Sequence, residues 1–212
     1  MARRVSGGSR ERPVRRHRRD GAGTARSARP PSRDARGSSD PLDRRSTGVP
    51  ALDRELGGGV PTGCVVVLTA DPASQSELFV NALTVAHETQ YLTTVRSADS
   101  VTRWLEEPTA EGATSTRILE TTKRGDVVAS ARRGIRSIPR GGAVVIDSAG
   151  PLEAVTPSRY RSLLASLSDA VAEADGVGLI HALGTDGPRS RCRLLTEQVA
   201  DVVVRLETTV TD

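Results

Sequence analysis

The sequence predicts an α/β fold of three layers, in which a mostly parallel sheet carries helices on both faces. Two observations point to it. Short apolar runs, such as residues 65–69 and 177–183, have the length and composition of buried parallel strands. The segments between such runs repeat apolar residues at helical spacing, as Leu163, Leu167 and Val171 do. Strands that alternate with amphipathic helices in this way build parallel sheets that are covered on both sides.

Composition divides the chain near residue 46. Residues 1–45 hold fourteen Arg against five acidic residues, a net charge of +9, so the remaining 167 residues carry −5. Arg, Ser, Gly, Pro and Ala dominate this first part and bury too little apolar surface to fold, so we expect a disordered tail. The domain is then expected over residues 46–212.

Two origins of this arginine-rich tail stay open. One is an electrostatic arm that binds nucleic acid or another polyanion. The other is an artefact, in which GC-rich DNA upstream of the true start codon is translated by mistake. No aromatic residue interleaves with its arginines, which disfavours nucleic-acid recognition by stacking.

The domain begins with a leading segment, residues 46–63, that is rich in glycine and proline. It reads Ser-Thr-Gly-Val-Pro-Ala-Leu-Asp over residues 46–53 and Gly-Gly-Gly-Val-Pro over residues 57–61. A strand at residues 65–69 and a helix at residues 78–88 are expected to follow. The turn between such a strand and such a helix is where a phosphate-binding loop belongs.

That turn, Ala-Asp-Pro-Ala-Ser-Gln-Ser-Glu, lacks the phosphate-binding chemistry. A working loop reads Gly-x-x-x-x-Gly-Lys-[Ser/Thr], because glycines let amides surround a phosphate, lysine supplies charge and the hydroxyl holds magnesium. Here Ala70 and Gln75 stand at the glycine positions, Ser76 at the lysine and Glu77 at the hydroxyl. A carboxylate about 4 Å from a phosphate oxygen is repelled by roughly 1 to 4 kcal/mol.

Weak anion binding at this turn stays open, because a helix that begins near Ser76 offers free amides and a positive dipole end. Ser74 and Ser76 are therefore the candidate nucleotide-binding residues of the turn, and ordinary helix N-caps are the alternative. Lys123 is the only lysine of the chain and offers no obvious substitute for the missing one.

A strand, a helix, a strand and a helix are expected next. The first strand covers residues 90–94, and Ser97 caps a helix on which Val101, Trp104 and Leu105 share one face before Pro108 ends it. A short strand at residues 117–119 follows. The second helix is marked by four apolar residues, Val127, Ala131, Ile135 and Ile138.

The C-terminal part adds an apolar strand at residues 141–148, a long helix that Pro157 opens, and the strand at residues 177–183. His181 lies in that last strand, and we expect a buried histidine whose ring nitrogens are satisfied. A loop at residues 184–192 precedes a helix at residues 194–200 and a closing strand at residues 202–206. We expect Arg189, Arg191 and Arg193 to be solvated there.

The leading segment closely resembles that of the KaiC/RadA branch of the RecA-superfamily ATPases. In that branch a Ser-Thr-Gly-[Val/Ile]-Pro-x-Leu-Asp stretch and a Gly-Gly-Gly-[Val/Ile]-Pro turn precede the Walker A strand. Residues 200–206, Ala-Asp-Val-Val-Val-Arg-Leu, also resemble its terminal strand. The resemblance spans about residues 46–207 and implies a three-layer RecA-like P-loop NTPase fold, with a degenerate Walker A motif at residues 70–77.

The same resemblance makes residues 141–148 a Walker B strand. Its aspartate, in this chain Asp147, orients magnesium through water in the branch, so Asp147 is the expected metal ligand if a magnesium nucleotide binds, with Ser148 beside it. The alternative is that Asp147 caps its strand and bonds a neighbouring loop. The branch also places a glutamate after its second core strand to activate water, but here Val95 and Arg96 stand there, and neither can act as a base.

Three functions stay open from the sequence. The favoured one is a non-catalytic RecA/KaiC-like regulatory or scaffolding protein, with no cofactor, that assembles with itself or with RecA-like relatives. The first alternative is an atypical ATPase that binds ATP and Mg²⁺. The second is a nucleic-acid-binding protein that uses the tail and residues 184–193.

We expect a cytoplasmic protein with no membrane partner, because no apolar stretch reaches the length of a membrane span and no signal-peptide core follows the arginine-rich start. Cys64 and Cys192 form neither a disulfide framework nor a zinc signature, and Cys64 is expected in the core.

Overall fold

The computed structural model describes residues 43–71, 74–106, 115–122, 125–184 and 189–207. Residues 1–42 of the expected tail lie outside the described residues, as do Pro108 and Lys123. The strands are β1 (Arg44–Arg45), β2 (Val60–Pro61), β3 (Cys64–Ala70), β4 (Thr89–Thr93), β5 (Thr116–Glu120), β6 (Ala143–Asp147), β7 (Val177–Leu183) and β8 (Val202–Leu206). The helices are α1 (Pro50–Glu55), α2 (Ser76–Ala86), α3 (Ala98–Glu106), α4 (Val127–Ile135), α5 (Gly150–Glu153), α6 (Pro157–Glu173) and α7 (Arg191–Val199).

Six of the strands form one parallel sheet in the order β5-β4-β6-β7-β3-β8. The strands at its centre are buried on both faces, which is why their sequences are continuous apolar runs. The register sets Asp147 beside His181 on one side and Thr93 on the other. The carboxyl ends of β4, β6 and β7 therefore lie together at one edge of the sheet.

Helices cover both faces of this sheet. Residues of α4, α6 and α7 pack against one face, on which Val65, Val144 and Ile180 lie. Residues of α1, α2 and α3 pack against the other, on which Leu68 and Val145 lie. The three-layer, mostly parallel α/β architecture expected from the sequence is confirmed. Within the described ranges, no helix combines the length and the apolar character needed to cross a lipid bilayer.

The leading segment is stabilised by its own side chains. Asp53 accepts hydrogen bonds from the backbone nitrogen and the hydroxyl of Thr47, both at 2.7 Å, and from the Ser46 hydroxyl. Gly48 has a φ of 78°, and a Cβ atom there would lie 2.1 Å from the carbonyl oxygen of Ala82. The Ser-Thr-Gly and Asp positions of the motif thus hold a backbone turn against α2, and this role needs no ligand.

Several boundaries differ from the sequence expectations, and two of the differences have a cause in side-chain hydrogen bonds. Arg44 and Arg45, placed in the tail by composition, form β1, because the Arg44 guanidinium donates to the carbonyl oxygens of Leu56 at 2.8 Å and Gly59 at 2.7 Å. The described fold therefore includes two residues that composition assigns to the tail. Helix α7 begins at Arg191, earlier than residue 194, since the hydroxyl of the preceding serine accepts a hydrogen bond from the helix backbone.

Candidate functional site

Polar side chains interrupt one apolar face of the sheet at its carboxyl edge. Side chains alternate along a strand, so Asp147 follows Val145 on this face and His181 follows Leu179. Tyr91 of β4 lies on the same face. Because β4, β6 and β7 are neighbours in the sheet, Tyr91, Asp147 and His181 meet beneath the start of α2.

Both carboxylate oxygens of Asp147 are bonded to protein donors. Oδ2 accepts from the Tyr91 hydroxyl and from the Arg96 guanidinium, each at 2.6 Å, and Oδ1 lies 2.7 Å from Nδ1 of His181. Burial raises the pKa of this carboxyl, but the hydrogen bonds from His181 and Tyr91, together with the Arg96 charge, outweigh burial and lower the pKa to about 2. Asp147 is therefore a buried anion at neutral pH.

His181 connects this anion to Ser76. Its Nε2 lies 3.0 Å from Oγ of Ser76, the first residue of α2. Because Asp147 is ionised, the neutral imidazole carries its proton on Nδ1 and donates it to the carboxylate. Nε2 is then an acceptor, and the Ser76 hydroxyl donates to it. The expectation of a buried histidine with both ring nitrogens satisfied is confirmed.

Arg96 supplies the cation of the site. Its guanidinium lies 4.5 Å from the ring centroid of Trp104, and it pairs with Glu77 at 3.6 Å as well as with Asp147. The Trp104 ring also packs edge-on against Tyr91, with 6.5 Å between centroids. Trp104 is thus a packing residue, as expected, and in addition it holds Arg96 over the carboxylate.

The turn before α2 does not use its serines as helix N-caps. Gln75 is the N-cap, and it makes no side-chain capping bond to the described residues. The hydroxyl of Ser74 instead donates to the carbonyl oxygen of Asp71 at 2.6 Å. Ser76 lies inside the helix, and its hydroxyl is turned to His181. The N-cap interpretation of Ser74 and Ser76 is therefore wrong.

Ser148 is held through its backbone. The hydroxyl of Thr94 accepts from the Ser148 nitrogen at 2.9 Å and donates to its carbonyl oxygen at 2.7 Å, and the Asp147–Ser148 peptide bond is cis. Of the four predicted site residues, the structure joins Ser76 and Asp147 through His181. It leaves Ser74 and Ser148 at the border of the same cleft.

This cleft has a volume of about 540 Å³. Ser76, His181 and Asp147 lie at its floor, and Leu78 and Val95 on its rim are 62% and 71% exposed. Crevices outside the carboxyl ends of strands are the usual ligand sites of open α/β sheets. The cleft is the candidate functional site.

A larger cleft, of about 870 Å³, lies at the ends of β3, β7 and β8. Two ion pairs line it, between Arg193 and Glu153 at 2.9 Å and between Arg189 and Glu197 at 2.8 Å. The expectation that these arginines are merely solvated is wrong for Arg193, whose side chain is mostly buried. Arg189 and Arg193 are thus each paired with a glutamate, which weakens the nucleic-acid hypothesis for these two residues, whereas Arg191 is exposed. Residues 185–188 lie outside the described part.

The residues present do not fit a magnesium nucleotide. Magnesium requires free oxygen ligands, whereas both oxygens of Asp147 are bonded, one of them to a permanent cation. A triphosphate at the start of α2 would also face the carboxylate of Glu77. Among the described residues, no group of three or more His, Cys, Asp and Glu side chains is placed to hold a metal ion.

Fold and site together define an α/β protein of KaiC/RecA-like architecture with an ionised, hydrogen-bonded centre at the carboxyl edge of its sheet. The chain belongs to the family of unknown function DUF7125, whose family model matches residues 44–212. It is similar in structure to a KaiC-like protein from the hyperthermophilic archaeon Pyrococcus horikoshii OT3. The two share 18% identity and a TM-score of 0.56 over 76% of this chain and 79% of that one, a likeness that shows the fold. No curated protein matches the chain.

Tyr91 and Arg96 are the site residues that sequence reasoning missed. They lie 56 and 51 residues before Asp147 along the chain, and only the strand order brings them to it. No local pattern marks Tyr91, because three of the other four residues of β4 are also polar. Asp147 and His181, by contrast, are each the polar residue of an otherwise apolar strand, and that pattern predicts their contact once β6 and β7 are known to be neighbours.

Proposed function

We propose that this chain is a RecA/KaiC-like protein with a degenerate Walker A motif that neither binds nor hydrolyses nucleoside triphosphates. It acts instead as a regulatory or scaffolding protein. One observation carries the proposal: Asp147, the residue that would orient magnesium, is already an anion satisfied by Tyr91, Arg96 and His181. Ser76 and Glu77, at the positions of the lysine and the metal-binding hydroxyl, supply no replacement cation.

The energies support this assignment. Freeing Asp147 for a metal ion means breaking its buried pair with Arg96, and disrupting such a pair costs about 3 to 5 kcal/mol. A micromolar ligand binds with about 8 kcal/mol in total. Breaking the pair of Asp147 with Arg96 would therefore cost about half of the binding free energy of a micromolar ligand. The repulsion between Glu77 and a phosphate would add to this cost.

A protein of this kind works through its surface. We place it in the cytoplasm, as a partner of itself or of RecA-like relatives. The exposed apolar side chains of Leu78 and Val95, beside the candidate site, support contact with another protein.

Isothermal titration calorimetry of the full chain with ATP and Mg²⁺, at high protein concentration, tests the proposal. We expect no heat beyond dilution, while a KaiC-like ATPase with an intact phosphate loop, titrated in parallel, should bind. Clear micromolar binding would end the proposal. Phosphate release from ATP is the second measurement, and it should be equal for the wild-type protein and an Asp147→Asn variant.

A further inference from the structure

We propose that Ser76, His181 and Asp147 form a nucleophile relay, and that the cleft above them accepts a small carboxylic ester with an apolar acyl group. The contacts are continuous: Ser76 Oγ lies 3.0 Å from His181 Nε2, and His181 Nδ1 lies 2.7 Å from Asp147 Oδ1. A hydroxyl, an imidazole and a carboxylate in this order are the groups that activate a serine, and they are recognised by geometry rather than by position in the sequence.

The direction of each hydrogen bond suits general-base catalysis. The ionised Asp147 holds the Nδ1 proton, so the free lone pair of the neutral imidazole is on Nε2 and faces the Ser76 hydroxyl. Asp147 is the positioning residue, because it acts only through the ring. Tyr91 and Arg96 keep the carboxylate ionised and oriented from its other oxygen.

Helix α2 adds the electrophilic part of the site. Ser76 is the first residue of this 11-residue helix, and the amide of Leu78 already donates to the Gln75 carbonyl oxygen at 3.0 Å. The amides of Ser76 and Glu77 have no acceptor within the helix. These amides and the positive end of the helix dipole lie beside the nucleophile, where an oxyanion would form. The helix terminus and the relay of His181 and Asp147 therefore act on the same hydroxyl, that of Ser76.

The walls of the cleft favour a neutral substrate with an apolar group. Leu78, Val95 and Trp104 contribute apolar surface, while the charges of Arg96 and Glu77 are paired with each other. Ser76 is only 1% exposed and lies at the floor, so a substrate reaches it through this cleft. That depth favours a slender acyl chain over a bulky one.

The reaction balances without a further reactant except water. Ser76 Oγ forms a bond to the ester carbonyl carbon as its proton passes to Nε2 of His181. The bond from carbon to the alkoxy oxygen then breaks, and the leaving alcohol takes that proton. Water, deprotonated by the same nitrogen, hydrolyses the acyl-serine and restores the hydroxyl.

This inference goes beyond the proposed function and fails independently of it. Absence of nucleotide binding neither requires nor excludes a reactive serine. The calorimetric titration therefore tests the absence of nucleotide binding, and covalent labelling tests the reactivity of Ser76.

The experiment is labelling of the full chain with an alkyl fluorophosphonate, followed by mass spectrometry of the modified peptide. We expect phosphonylation of Ser76 with loss of fluoride, no modification at this position in Ser76→Ala, and a labelling rate about 100-fold lower in His181→Gln. Hydrolysis of p-nitrophenyl butyrate should follow the same order.

Ser158 is the matched control. It also lies in the first turn of a helix, α6, but it is exposed, and its nearest hydroxyl partner is Thr156 at 3.5 Å rather than a histidine. Ser158→Ala should leave labelling and ester hydrolysis unchanged. An unlabelled Ser76 in the folded wild-type protein, or labelling of Ser158 as fast as that of Ser76, would overturn the relay. The wild-type, Ser76→Ala and Ser158→Ala proteins decide this even if His181→Gln fails to fold.

Discussion

At the scale of single residues, Asp147 shows how a carboxylate can remain ionised within an apolar layer. Its side chain is 9% exposed, and burial alone would favour the protonated form. Three donors on two oxygens reverse that preference. The same donors occupy the positions that a metal ion would need, so the stability of the site and its unsuitability for magnesium have one cause.

The lowered pKa of Asp147 predicts a dependence of stability on pH. The folded pKa is about 2 against an ordinary value of 3.8, so the stabilisation is complete above about pH 4 and is lost as the pH falls towards 2. It amounts to about 2 kcal/mol. Asp147→Asn removes this contribution and leaves Arg96 without its buried partner, at a cost of about 3 kcal/mol at pH 7.

Urea unfolding of both proteins from pH 7 to pH 2 measures this effect. The difference between their free energies of unfolding should shrink by about 2 kcal/mol over the acidic part of the range. Asp169→Asn, at an exposed position on α6, is the control and should stay within about 0.5 kcal/mol of wild type. A constant difference at every pH would contradict the role given to the carboxylate.

The two tyrosines of the chain provide a second, internally matched prediction. Both are buried, but the Tyr91 hydroxyl donates to the Asp147 anion, whereas the Tyr160 hydroxyl bonds the neutral hydroxyl of Thr196 at 2.8 Å. Bonds to charged groups are worth about 1.5 to 3 kcal/mol and neutral ones about 0.5 to 1.5. Tyr91→Phe should therefore destabilise the protein by about 1 kcal/mol more than Tyr160→Phe. Equal losses in thermal or urea unfolding would count against an ionised Asp147.

At the scale of elements, the leading segment separates fold from chemistry. Its Ser-Thr-Gly and Asp residues bond one another and fit against α2, so they serve the backbone of the domain. In the turn that follows β3, the residues differ from a phosphate-binding loop at each diagnostic position. A motif that is structural in this sense indicates a fold and leaves the activity undecided.

Two glycines of this segment test its structural role. Gly48 and Gly57 both have positive φ, but an alanine Cβ at Gly48 meets the Ala82 carbonyl oxygen at 2.1 Å, while the described residues leave the space at Gly57 open within 4 Å. Gly57→Ala should cost only the left-handed backbone penalty, about 1 kcal/mol. Gly48→Ala should cost at least about 2 kcal/mol more, since backbone must move. Circular dichroism during urea unfolding measures both, and equal losses would contradict the packing of Gly48 on α2.

At the scale of the whole molecule, the sequence was sufficient for the architecture and insufficient for the site. Strands such as β7 were predictable because strands that are buried on both faces of a parallel sheet usually have near-continuous apolar sequences. The contacts of Asp147 could not be predicted, because they depend on which strands are neighbours, and no local sequence pattern encodes the order β4-β6-β7. The burial of Arg193 could not be predicted for the same reason, since its partner Glu153 lies 40 residues away along the chain.

Charge is also distributed unevenly over the whole molecule, and this yields the last prediction. Residues 1–45 carry +9 and the remainder carries −5. Arginine contacts to DNA phosphates release counterions, so affinity falls steeply with salt, whereas an acidic domain is repelled by the same phosphates. We expect the full chain to bind a labelled DNA duplex at about 50 mM salt, and to lose at least about tenfold in affinity by about 200 mM.

A version that begins at Asp43 isolates the contribution of the tail. It retains the described residues of the domain, including β1, and should bind DNA at neither salt concentration, because Arg189 and Arg193 are already paired with glutamates. Fluorescence anisotropy of the duplex measures both proteins under identical conditions. Equal affinity of the two versions would show that the domain, not the tail, contacts DNA. If neither version binds, the tail has no electrostatic role in DNA binding.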